Sequence, residues 1–149
     1  MKRFVFKLET VLKYRETLEK LAKNSYSEAL HLFHIEKDKL LALETKRDTL
    51  KAAYNVKAGA VVLPEVLSFL SIYNAQLLYL IRRQQRVAQE KELAAQEKFE
   101  DWNLKRKDVK IIKRLEEKKW REYLKQADKE EQKFQDEIFI AKTVREMVR

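Results

Sequence analysis

A chain of 149 residues with one glycine (Gly59), one proline (Pro64) and no cysteine has few places to turn and cannot form a disulfide or a thiolate metal site. Average usage would give roughly ten glycines and seven prolines, and a charged fraction of 38%, with strong helix formers prominent, predicts long helices rather than a compact globule. The net charge of +9 asks for an acidic partner, whether nucleic acid, anionic membrane or acidic protein surface.

Apolar and small residues recur at helical spacing from the start of the chain: Phe4, Leu8, Val11, Leu18, Ala22, Ser25, Ala29 and Leu32. After a slip near Leu32-Phe33 the stripe resumes at Leu40, Leu43, Leu50 and Tyr54, with Arg15 and Arg47 on or beside it. Their long side chains can lay methylenes along a seam while the charge stays in water. The pattern predicts an N-terminal helical arm over 1–57. A turn is predicted over 58–64, with Gly59 as a left-handed cap and Pro64 in the first turn of the next helix.

Beyond Pro64 the stripe continues through Val66, Leu70, Tyr73, Leu77, Leu80/Ile81, Gln84, Ala88, Ala95, Phe99, Trp102, Val109, Ile112 and Leu115. It weakens through Tyr123, Ala127, Phe134, Ile138, Ala141 and Val148. Stripes this long predict an all-α fold, a long antiparallel two-helix coiled coil, in a single domain over 1–149. At 1.5 Å per residue the two arms are unequal, roughly 80 Å against roughly 125 Å. A simple hairpin then leaves the end of the second helix unpaired. Alternatively, 65–89 forms a short extra helix near the tip and 90–149 is the C-terminal arm, with both termini together.

The segment from Val66 to Ile81 is the longest without charge, but it is short of the roughly 20 apolar residues needed to span a bilayer. Its apolar residues, Phe69, Ile72 and Tyr79 among them, still outnumber the two positions in seven, or about that, which a two-stranded seam buries. They pack at the tip or remain exposed as a docking surface. Glu9, Lys13 and Arg15 interrupt the apolar core that a signal peptide would need, so a soluble, cytoplasmic protein is expected.

Chemistry is scarce. One glycine cannot build a phosphate-binding loop. His31 and His34 share a helix turn with Glu28 and Asp38 nearby, but without a second ligand pair they are expected to be surface residues rather than metal ligands. Glu116-Glu117 and Glu130-Glu131 lie among lysines with no pocket to raise a pKa. No catalysis, cofactor or metal is expected. Residues 82–121 hold fourteen Lys/Arg against eight Asp/Glu, a net of +6, whereas 122–149 hold six against seven, a net of −1. Within the basic run, Asp108, Glu116 and Glu117 interrupt the charge, and Trp102, Val109, Ile112 and Trp120 keep a seam inside it. It therefore reads as a solvated flank, with a basic nucleic-acid-binding coiled coil, or a structural spacer, as the alternative.

Two stretches resemble the flagellar export protein FliJ family. The first runs from Phe4 to Arg15 and is similar to an opening F-x-L-x-x-V-L-x-x-R pattern; the second is Leu115-Glu116-Glu117-Lys118-Lys119 followed by the run from Glu131 to Glu137, similar to a late E-Q-K-x-x-D-E signature. Stalk proteins of injectisomes look similar. The resemblance implies a cytoplasmic component of the type III export machine, peripheral to the inner membrane and folded as an antiparallel coiled coil. Its paired terminal arms would enter and stimulate the export ATPase hexamer. Its middle would contact the cytoplasmic domain of the membrane export gate and serve export chaperones. The resemblance favours pairing of 4–57 with roughly 90–145. It assigns the ring-entering arms to Phe4, Leu8, Val11, Leu12 and Arg15, with Glu131, Gln132, Lys133, Asp136 and Glu137, the apolar members holding the arms together and the exposed charged members facing the ring. It assigns gate docking to Tyr73, Leu77, Leu80 and Gln84, which fall within the apolar excess or just beyond it.

Overall fold

The computed structural model describes residues 3–57 and 63–148, except for the side chains of Val56 and Lys57. The fold is all-α, with two helices, α1 (Glu9–Lys57) and α2 (Pro64–Met147), packed antiparallel in a coiled-coil-like arrangement. Glu9 and Glu65 in the first turns and Arg145 in the last place charge where the helix dipoles favour it. Pro64 opens α2, as predicted, where its missing N–H costs nothing. The Leu63 carbonyl accepts from the Val66 and Leu67 amides at 3.0 and 3.3 Å. Gly59 and most of the expected turn lie outside the described residues.

Residues 65–89 are the first part of α2 and not a helix of their own. No glycine or proline interrupts this stretch, and Ile81, Ala88 and Ala95 are buried seven residues apart through the supposed break. The start of α2 therefore pairs with the end of α1. The chain forms two compact units, to each of which both helices contribute: Lys20–Asn103, and Met1–Glu19 with Leu104–Arg149.

In the unit Lys20–Asn103, Tyr26 packs on Phe99 and Trp102 with ring centroids 5.2 and 5.7 Å apart. The Gln84 amide donates to the Glu36 carbonyl at 2.9 Å and to its carboxylate at 2.6 Å. Nearer the start of α2, a depression of about 450 Å³ is lined by Leu50, Tyr54 and Asn55 of α1 and by Leu67, Leu70 and Asn74 of α2. As α1 advances its partners on α2 recede, which is antiparallel pairing. The buried side chains here are Ala22, Leu77, Ile81, Ala88 and Ala95. Alanines at three of the five let the backbones approach closely beside the aromatic cluster.

In the unit formed by Met1–Glu19 and Leu104–Arg149, Phe4 meets the Trp120 and Tyr123 rings at 5.0 and 5.5 Å. Arg15 pairs with Asp108, and Lys113 with Glu16, each at 3.4 Å. Phe6, Leu12, Val109 and Ala127 are buried. The N-terminal segment thus lies against residues 108–127, short of the end near 145 that a pairing of 4–57 with 90–145 requires. Leu8 borders a depression with Leu115, Lys119, Tyr123 and Gln126. Between 128 and 148 every side chain but that of Thr143 is exposed.

The seam of α1 follows a three–four alternation through Leu12, Arg15, Glu19, Ala22, Tyr26, Ala29, Phe33, Glu36, Leu40, Leu43, Arg47 and Leu50, all buried or half-buried. The slip expected at Leu32-Phe33 does not occur. Tyr26, Phe33 and Leu40 form one file at seven-residue spacing, while Val11, Ser25 and Leu32, one position earlier, are exposed. Charged side chains hold several seam positions because a two-helix seam is open on both flanks and long methylenes can close it.

Candidate functional site

Two exposed apolar surfaces stand out, one in each unit. The first is on α2 beside the seam. Tracing the seam as Leu70, Asn74, Leu77, Ile81 and Gln84 leaves Phe69, Ile72 and Tyr79 facing outward at 68%, 61% and 66% exposure. Steps of three and seven place them on one helix face. Phe69 stacks on Tyr73 with centroids 6.5 Å apart and planes 5° from parallel. Ile72, Ala75, Gln76, Tyr79 and Leu80 line a shallow depression of about 520 Å³. The same face continues into Arg83 and Arg86, which are exposed and make no ion pair among the described residues.

The gate-docking set of Tyr73, Leu77, Leu80 and Gln84 does not form one open face. Tyr73 and Leu80 are exposed, whereas Leu77 is buried and Gln84 is committed to Glu36. The Glu36 carboxyl is held below the usual carboxylate range, chiefly by the hydrogen bond from Gln84 and then by that from Lys39. The seam position at this level is Ile81, and Asn74 takes the place expected of Tyr73. The buried Asn74 Oδ1 and Arg47 Nε have no hydrogen-bond partner.

The second surface is the end of α2 beyond Ala127. Phe134, Ile138, Phe139, Ile140, Val144 and Met147 are exposed there, interleaved with Glu131, Gln132, Lys133, Asp136 and Glu137, which are exposed as well. Of the N-terminal ring set, Phe4 and Leu12 serve packing, Leu8 and Val11 are largely open, and Arg15 is bonded to Asp108. The two halves of the ring set therefore belong to one unit without lining one surface. Alongside, Glu122 is held low by its hydrogen bond from Lys119.

Sequence reasoning named Phe69, Ile72 and Tyr79 only within the apolar excess. Fixing the seam first, by its unbroken seven-residue files, would have isolated them. The apolar side chains of the last twenty residues look like weak seam by spacing alone, because spacing does not reveal the register that sets Phe4 against Trp120 and Tyr123 and leaves them exposed. His31 and His34 are exposed, with His34 against Phe33, and among the described residues no group of three metal-binding side chains occurs. Among them, too, no helix is long and apolar enough to cross a membrane.

The family model described as Flagellar FliJ protein matches residues 4–147 of this chain. Among solved structures, a chain from Chlamydia trachomatis described as a candidate YscO homologue, CT670, is similar at 20% identity over 91% of this chain and 93% of that one, with a TM-score of 0.49. No curated protein matches.

Proposed function

The chain belongs to the flagellar FliJ protein family, and from that premise we propose that it is the non-enzymatic central stalk of a type III export ATPase, working in the cytoplasm at the inner membrane. The unit containing both termini enters the ATPase hexamer and stimulates it. The unit Lys20–Asn103 docks on the cytoplasmic domain of the export gate and serves export chaperones, with Tyr73 and Leu80 in contact and Leu77 and Gln84 holding the face in place from the seam.

The observation that supports this reading best is the bare end of α2. A helical stretch from 128 to 147 with six large apolar side chains in water is costly for a soluble protein unless a partner covers it. Glu131, Gln132, Lys133, Asp136 and Glu137 would meet polar groups of the ring around those apolar anchors. A single asymmetric stalk inside a sixfold ring touches its subunits unequally, and unequal contact biases their conformations. Adding the purified chain should raise ATP turnover by the cognate ring. Paired Phe139→Asp and Ile140→Asp substitutions, both at exposed positions, should remove the effect without lowering helix content. An unstimulated ring that also fails to co-purify with the chain would end the proposal.

A further inference from the structure

We infer that the strip Phe69–Ile72–Gln76–Tyr79–Arg83–Arg86 is a docking surface for an acidic amphipathic helix of another protein. The inference rests on the docking role proposed for this part of α2 and names the chemistry of what docks. The six positions follow steps of three, four, three, four and three, so they share one face along about five turns. All six are exposed. The first four positions are apolar and aromatic, with Gln76 between Ile72 and Tyr79; the last two are guanidinium.

Between Glu65 and Glu90 the chain has no acidic residue, while Arg82, Arg83 and Arg86 stand free of ion pairs among the described residues. No salt bridge among the described residues holds them, the nearest acid along the helix being Glu90, four residues beyond Arg86, and a guanidinium is suited to bidentate pairing with a carboxylate. Arg83 follows Tyr79 by about 6 Å along the axis, one helical turn. The complement is a helix with apolar residues at i, i+3 or i+4, and i+7, and carboxylates about one turn beyond. Arginine beside aromatics is also the composition of interface hot spots.

Other occupants fit less well. A phosphate backbone would satisfy the arginines but give Phe69 and Ile72 no apolar cover. A helix lying in a membrane surface carries its cations along the polar flanks, whereas here they are gathered at one end of the strip.

The test replaces Tyr79 by a photoreactive phenylalanine analogue in the full chain, irradiates the producing cells and sequences what is crosslinked. The expected product is a protein peptide of amphipathic helical pattern with an excess of Asp and Glu. Arg83→Glu with Arg86→Glu should cut its yield about tenfold, as reversal of interface charges does, at unchanged helix content. A crosslink to phospholipid, nucleic acid, a second copy of this chain or a peptide without excess acid overturns the inference, as does no crosslink or a yield indifferent to the arginines. An acidic helix from a protein other than the export gate would sustain this inference while removing the gate from the proposed function. A gate peptide lacking acids would do the reverse.

Discussion

Leu77 retains 3% of its surface, the least among the buried core residues, although the sequence resemblance made it part of a docking face. Truncation should therefore act on stability. Leu77→Ala is expected to cost about 2–4 kcal/mol in urea unfolding, as loss of a packed leucine does. Tyr73→Ala, at an exposed position, should cost under about 1 kcal/mol. Equal losses would mean that Leu77 is not the seam residue. Gln84 makes a different kind of contribution. Because the folded pKa of Glu36 is depressed, its stabilisation is present above the unfolded carboxylate value and is lost as pH falls through the folded one. In Gln84→Met the Glu36 carboxyl should titrate higher, nearer an ordinary glutamate, in a carbon-detected NMR titration; an unmoved midpoint would contradict the hydrogen bond as its main cause. Composition did not reveal these roles. Leu77 and Leu80 are the same residue type three positions apart, and only the register with α1 decides which one is covered.

At the scale of the helices, the length of α1 and the start of α2 at Pro64 were legible from the scarcity of glycine and proline, whereas the unbroken run of α2 through 65–89 was not separable from a short helix of its own. The pairing was less so. Antiparallel helices read the same periodicity in every register that slides by seven residues, and the resemblance drew the N-terminal arm toward 90–145. What fixes the observed register is a set of specific contacts: Tyr26 with Phe99 and Trp102, Glu36 with Gln84, Arg15 with Asp108. The partly exposed ion pair among them is worth little alone, so the aromatic packing and the hydrogen bond of Gln84 matter more. Backbone protection should track this division. A helical stretch of some twenty residues without packing is only marginal in water, on the order of the length at which isolated helices begin to persist. Amides of 130–146 should exchange with deuterium far faster than those of 77–95, and comparable protection in the two would imply cover for the end of α2. Ending the chain after Ala127 should change unfolding free energy by less than about 1 kcal/mol while abolishing stimulation of the ring.

For the molecule as a whole, fold class was readable from composition and periodicity, because an antiparallel helix pair needs only long stripes and one interruption. The functional surfaces were readable in part. Excess apolar residues between Val66 and Ile81 announced a surface, but its outward face emerged only once the covered side of α2 was known. The aromatic clusters described above have a practical consequence. Each unit contains one indole: Trp120, beside Phe4 and Tyr123, in the unit with the termini, and Trp102, stacked on Tyr26, in the other. Replacing either tryptophan by phenylalanine leaves a chain with a single fluorophore, so the emission of each variant follows the melting of one unit alone. With two such proteins, capture by a ring or a gate could be assigned to its own unit by which of the two spectra moves.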